Sequence, residues 1–224
     1  MMLRHLPRVA RLVGSTLEHG PTAVRIALAA KRRGAKQKLR EFAGLIALAR
    51  KYSLATVVEI GTLHGGTLWA WCQVAADDAA IISIDLPEGP FGGGYREDAA
   101  SRLRGYARSA QTVHLIRADS HDPRTLEHVR QILGPRQIDL LFIDGDHTYQ
   151  GVRLDFEMYA PLVRSGGLIV LHDILPHHDD QRCEVDRFWR DIVTGYEHLA
   201  FVDHRDRGSR GQWGGIGVVV QPRE

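Results

Sequence analysis

Cysteine is scarce in this chain, with two residues, Cys72 and Cys183, among 224. That excludes a disulfide-stapled secreted scaffold and a four-cysteine zinc site. Long apolar runs are missing too: nothing reaches the ~18 residues that a membrane-spanning helix needs. No cleavage-type leader is read either, because the most apolar early stretch, Ala23 to Ala30, contains Arg25 and runs into further cations. What remains is 44% hydrophobic and 25% charged, the composition of a soluble globular protein with a sizeable core, and a cytoplasmic location is expected.

The net charge of +2 hides an asymmetry. Residues 1–52 hold twelve Lys/Arg against two Asp/Glu, whereas the remainder holds 17 against 25. Two units are therefore expected: a basic helical segment over 1–52 and a mildly acidic body over 53–224. Helical spacing at Leu3, Leu6, Val9 and Leu12 and again from residue 37 to 52 is interrupted by Pro7 and Gly20-Pro21. The run from Lys31 to Lys38 suits contact with an anionic surface, either a membrane periphery or nucleic acid. Its plainer reading is a solvated face, since charge runs usually serve solubility.

From Thr56 the period changes. Short β-branched runs at 56–60, 81–85, 113–116, 138–144 and 168–171 alternate with helical stretches of about a dozen residues. Two more strand-like runs, 199–202 and 216–220, follow with no clear helix between them. The pattern predicts an α/β fold: a Rossmann-like, seven-stranded, mostly parallel sheet with an antiparallel C-terminal hairpin at its edge and helices on both faces.

Ligands in such sheets bind beyond the carboxyl ends of the strands. Polar groups recur at all five mouths: Glu59 and Gly61 to Thr67, then Asp85, Asp119-Ser120, Asp144 to His147, and His172-Asp173. The first turn reads Gly61-x-x-x-Gly65-Gly66, which fits a dinucleotide fingerprint poorly, and it lacks the lysine of a phosphate loop. Glu59 would repel phosphate and tolerate a cationic amino acid, while Asp85 is placed to accept two ribose hydroxyls. A positively charged nucleoside without phosphates describes S-adenosylmethionine.

These residues resemble the class I S-adenosylmethionine-dependent methyltransferases. More narrowly, the string from Phe142 to Tyr149, then Gly166 to Ile169 and His172-Asp173, is similar to small O-methyltransferases of the catechol, macrolide-sugar and cephalosporin-hydroxylase-like kinds. The resemblance implies that Gly61, Gly65 and Thr67, with Glu59 nearby, cradle the methionine part of the cofactor. It places Asp85 at the ribose, Asp119 and Ser120 at the adenine, and Asp144 at the active centre. It gives His147, three residues after Asp144, the role of general base, and a free imidazole titrates near pH 6.5. It also implies a divalent ion, Mg²⁺ in metal-dependent relatives, on Asp144, His172 and Asp173, although imidazole in place of a carboxylate suits that hard ion poorly. The acceptor expected is a small-molecule hydroxyl, on a sugar or a catechol-like ring, turned over by a homo-oligomer with no nucleic-acid partner. Two other readings stand beside it. One is a scaffold that binds the cofactor but has lost its catalytic centre. The other is a nucleic-acid methyltransferase guided by the basic run, against which stand the acidic body and the absence of a base-methylating Asn/Asp-Pro-Pro-Tyr motif.

Overall fold

The computed structural model describes residues 20–204 and 213–222, so the helix expected around Leu3 to Leu12 lies outside the described residues. One sheet holds β1 (Thr56–Ile60), β2 (Ala80–Asp85), β3 (Thr112–Arg117), β4 (Ile138–Ile143), β5 (Val163–His172), β6 (Glu197–Phe201) and β7 (Ile216–Val220), in the order β3-β2-β1-β4-β5-β7-β6. The first five strands pair in parallel, and β7 runs antiparallel to both β5 and β6. The helices are α1 (Pro21–Arg32), α2 (Leu39–Ala49), α3 (Gly66–Val74), α4 (Ala100–Arg104), α5 (Pro123–Leu133), α6 (Tyr149–Tyr159) and α7 (Val185–Ile192). The expected Rossmann-like sheet is present.

Alternation of side chains along the strands divides the core in two. Val57, Ile81, Leu140, Phe142 and Val170 face α1, α2 and α3, with Trp71 fully buried among them. Val58, Ile82, Leu141, Ile143 and Ile169 face α5, α6 and α7. Every residue of β1, β2 and β4 is buried, as strands covered on both faces must be.

The expected antiparallel C-terminal pair is present, with β7 between β5 and β6, so β6 forms the edge. The apolar run of β7 is buried over Ile216–Val219, which suits an inner strand, whereas β6 is mostly half-exposed. Strand β5 starts five residues early, through Arg164-Ser165-Gly166-Gly167, which carry no apolar signal. The helical stretch of about a dozen residues expected between β2 and β3 shrinks to a 3₁₀ turn and the five residues of α4.

The basic run does not stand free of the body. Helix α1 begins with Pro21 at its first position, where the missing N–H costs nothing, and packs Ala23, Ala27 and Ala30 into the same core as Trp71. It ends in a Schellman turn: Gly34, at φ +97°, donates its N–H to the carbonyl of Lys31, and the Ala35 N–H reaches that of Ala30. The chain then doubles back over the sheet. Lys31 to Arg33 and Lys36 are exposed, but Gln37 and Lys38 are only 2% and 3% exposed. The Lys31 ammonium donates to the Gln37 carbonyl at 3.0 Å and holds the turn closed. No helix among the described residues is long and apolar enough to cross a membrane.

If α1 is part of this core, Ala27→Leu overfills a site with no free volume and costs about 1–3 kcal/mol. Thermal melting should fall by several degrees, at about 2–4 °C per kcal/mol for a chain of this size. An unchanged midpoint would mean that α1 is not docked.

Candidate active site

A cavity of about 440 Å³ opens beyond the carboxyl ends of β1 to β5, astride the β1–β4 seam where the strand order reverses. Among the residues expected to form a site, Gly61, Thr67, Asp85, Asp119, Ser120, Asp144, His147, His172 and Asp173 all line it. Gly65 and Glu59 do not.

The first turn is built on backbone contact. Gly61 sits at φ +95°, and a Cβ there would lie 2.0 Å from the carbonyl oxygen of Asp144, so no other residue lets the ends of β1 and β4 touch. Gly65, at φ +81°, caps α3 with its face toward Leu103, behind the cavity wall. Gly66 lies against the backbone of Ala35. Asp85 joins two loops: one carboxylate oxygen accepts from the N–H groups of Leu63, at 3.1 Å, and Tyr95, at 2.8 Å. Burial raises its pKa despite those bonds. The glycine-rich segment from Glu88 to Tyr95 is thereby held over the cavity, with Phe91 stacked on the His147 ring at 4.9 Å. Asp119 is exposed and accepts from the His121 N–H, whereas Ser120 is buried, its carbonyl bonded by the Tyr159 hydroxyl.

Glu59 turns the other way. Its side chain is fully buried under α3, where it accepts from the Trp71 indole N–H and the Ser83 hydroxyl, each at 3.0 Å. Burial outweighs these bonds and that from Thr67, and lifts its pKa to about 8. It organises the floor beneath the glycine turn instead of facing a ligand.

Across the cavity, two carboxylates and three imidazoles form one cluster. Oδ1 of Asp144 meets Nδ1 of His172 at 2.9 Å and Nε2 of His147 at 3.4 Å. Oδ2 of Asp173 lies 3.3 Å from His172 and 3.4 Å from His147, and its Oδ1 lies 2.9 Å from His177. Burial acts to lower the pKa of His147, but its bonds to Asp144 and Cys183 and the charges of both carboxylates more than reverse this, to about 10. His172 is raised in the same way, and the imidazoles hold Asp144 and Asp173 below the ordinary carboxylate range. The expectation of an imidazole near pH 6.5 is therefore corrected: His147 holds its proton tightly while both anions face it.

Asp144, His172 and Asp173 do offer three donor atoms within 4.8 Å of one another. Nδ1 of His172 lies against both carboxylates, however, while its Nε2 is buried without a partner, Oδ1 of Asp173 faces His177, and the remaining oxygen of Asp144 accepts from the Gln37 amide at 2.6 Å. Magnesium requires an octahedron of oxygens, several of them water. A set of two already-partnered carboxylates and one imidazole does not fit that ion.

Several lining residues escaped the sequence reading, chiefly Gln37, Arg182 and Cys183. Gln37 was hidden inside a charge run, and its only signal is that it is the uncharged residue between Lys36 and Lys38. Trp213 also lines the cavity, with the Lys38 ammonium 4.7 Å from its ring centre. A single carboxylate braces that side: Glu41 of α2 accepts from the N–H of Asp203 at 2.8 Å and from that of Gly215 at 2.9 Å.

The model of the methyltransferase-domain family matches residues 58–174, which run from the middle of β1 to just past β5 and include every cavity-lining acid named above. The chain belongs to the methyltransferase-domain family. Among curated relatives, this methyltransferase-domain chain is 37% identical over 121 residues to an uncharacterised protein of Acanthamoeba polyphaga mimivirus, covering 53% of this chain and 51% of that protein. It is 30% identical over 104 residues to the 8-demethyl-8-alpha-L-rhamnosyl tetracenomycin-C 2'-O-methyltransferase of Streptomyces olivaceus, covering 42% and 27%. The chain thus spans about half the length, or less, of these relatives. Among solved structures it is similar in fold to an O-methyltransferase from Bacillus cereus in complex with SAH, with a TM-score of 0.61, 20% identity, and 94% and 93% of the two chains covered.

The buried acid beneath this site makes a stability prediction. The folded-state pKa of Glu59, about 8, lies above its ordinary value of 4.5, so folding takes up a proton between those limits. The stability it lends is complete below pH 4.5 and is lost as pH rises through 8. Glu59→Gln, which keeps the shape and removes the titration, should flatten the fall in melting temperature between pH 5 and 8. Parallel curves for the two proteins would refute this role.

Proposed function

We propose that the protein is an S-adenosylmethionine-dependent O-methyltransferase acting on a small-molecule hydroxyl. The observation that carries the reading is the cavity at the β1–β4 seam, where Asp85, Asp119 and the pair Asp144 and His147 converge from the ends of β2, β3 and β4, beside a first turn that has no lysine. The residues present suit that cofactor. Gly61 and Thr67 of the first turn line the cavity, and a buried amide oxygen on Gln37 stands without a partner. When bound, the sulfonium supplies an electrophilic methyl carbon.

The chain's own groups supply the rest. Asp85 is the ribose acceptor, and because the same carboxylate binds the N–H groups of Leu63 and Tyr95, filling the site fastens both loops. Ser120 and Asp119 bound the adenine end. Gly61, Thr67 and Asp144 surround the amino-acid end, and burial of the whole excludes water from the reacting atoms. His147 is the proton acceptor for the substrate hydroxyl. As the site stands, His147 holds a proton on each ring nitrogen, one toward Asp144 and one toward Asp173. It gives one of them to solvent before it accepts another, and the cofactor's positive charge beside Asp144 would favour that loss. His172, buried between Asp144 and Asp173, balances their charge where metal-dependent relatives use an ion, and we propose that transfer here needs no divalent cation.

A sugar hydroxyl is favoured over a catechol ring because the tetracenomycin relative, similar at the level of sequence, is named for methylation of a rhamnosyl 2' position. The drifted-scaffold alternative has less support, since Asp144, His147 and Asp173 keep their mutual contacts.

Calorimetry with S-adenosylhomocysteine should show saturable binding that weakens at least tenfold in Asp85→Ala; equal affinity would remove the ribose assignment. In a methyl-transfer assay on rhamnosyl acceptors, His147→Ala should lower kcat by roughly 10²-fold or more, the contribution of a positioned base. The wild-type rate in that assay should be the same with EDTA and with added Mg²⁺ or Mn²⁺. A rate abolished by chelation and restored by metal would overturn the ion-free reading.

A further inference from the structure

Among the described residues, Gln37 is an uncharged cavity residue, 98% buried, whose amide is only half used. Its Nε2 donates to Oδ2 of Asp144 at 2.6 Å, and its Oε1 is buried without a hydrogen-bond partner. The orientation of the amide is fixed by chemistry, because an oxygen that close to a carboxylate oxygen would be repelled. An orphaned buried acceptor costs free energy unless a donor arrives, so this one calls for a ligand that carries an N–H or O–H.

Its neighbours narrow the choice. Gln37 follows the Schellman turn at Gly34, whose next residue, Ala35, presses its backbone on Gly66 of the glycine turn. The side chain reaches the end of β4, while Asp85 and Asp119-Ser120 sit at the ends of β2 and β3, two and three strands away across the sheet. On the proposed cofactor the donors are the adenine amine, the ribose hydroxyls and the α-ammonium. The first two lie over β2 and β3. The sulfonium itself has no hydrogen to donate. Only the ammonium is left for the β1–β4 side, and there Asp144 provides an anion within the same network.

We infer that Gln37 binds the α-ammonium of the cofactor's amino-acid end, accepting from it through Oε1 while Nε2 keeps Asp144 in place. The inference rests on the cofactor proposed above. It gives the N-terminal segment, outside the matched family region, a share in cofactor binding, and it makes Gln37 a reader of the amino acid and not of the nucleoside.

The test compares two probes on the full chain by calorimetry: S-adenosylhomocysteine, which carries the amino acid, and 5'-methylthioadenosine, which lacks it. Loss of a hydrogen bond to a charged group weakens binding by roughly ten- to hundredfold. Gln37→Met should therefore bind S-adenosylhomocysteine that much more weakly and 5'-methylthioadenosine within about twofold of wild type. Unchanged S-adenosylhomocysteine affinity would overturn the inference. A parallel loss for both probes would also do so, since it would mark Gln37 as a support for the cavity as a whole. Wild-type protein that binds neither probe would instead sink the cofactor reading, and this inference with it. Should the variant fail to fold, a crystal structure of wild type with S-adenosylhomocysteine decides the matter: the amino nitrogen lies within hydrogen-bond distance of Gln37 Oε1, or the inference is wrong.

Discussion

Asp144 is held from three directions, and the cavity takes its shape from that arrangement. Its backbone carbonyl abuts Gly61, its N–H bonds to the Ile60 carbonyl, and its carboxylate collects His172, His147 and the Gln37 amide. The backbone contacts close the seam between β1 and β4. The side-chain contacts bring the N-terminal segment, the loop after β4 and the end of β5 to one anion. An isolated carboxylate buried this far would take up a proton; imidazoles on one oxygen and an amide on the other keep it ionised. Charge is thus balanced within the chain, by histidines whose protons are in turn secured by the acids.

Much of the architecture was legible in the residues. Short apolar strands between helices imply a doubly covered parallel sheet, and a polar group at each strand end implies a shared cleft, because the carboxyl ends all open on one side. Glu59 shows where such reading stops. It precedes the glycine turn, as a ligand-facing acid would, yet strand alternation puts it on the Val57 face, opposite Ser83 in register and beneath Trp71. Period-two counting from Val57 would have found this. No local pattern would have revealed Gln37, whose significance comes from a contact 107 residues away. The insertion of β7 between β5 and β6 is equally non-local, since the hairpin pattern is the same whichever strand lies outside.

The basic run shows how composition misleads when geometry divides a segment. Its exposed part, Lys31 to Arg33, lies at a helix C-terminus, where cations favour the dipole. Four residues on, past a left-handed glycine, the same run is interior and contributes to the cavity wall. One Schellman turn separates a surface from a site.

Glu41 has a comparable reach on the opposite rim. Its two oxygens accept from the N–H groups of Asp203, just past β6, and Gly215, just before β7, and Trp213 lines the cavity two residues before the second of these. Loss of this one carboxylate would therefore loosen the end of β6 and the approach to β7 together, and with them the rim that Trp213 forms.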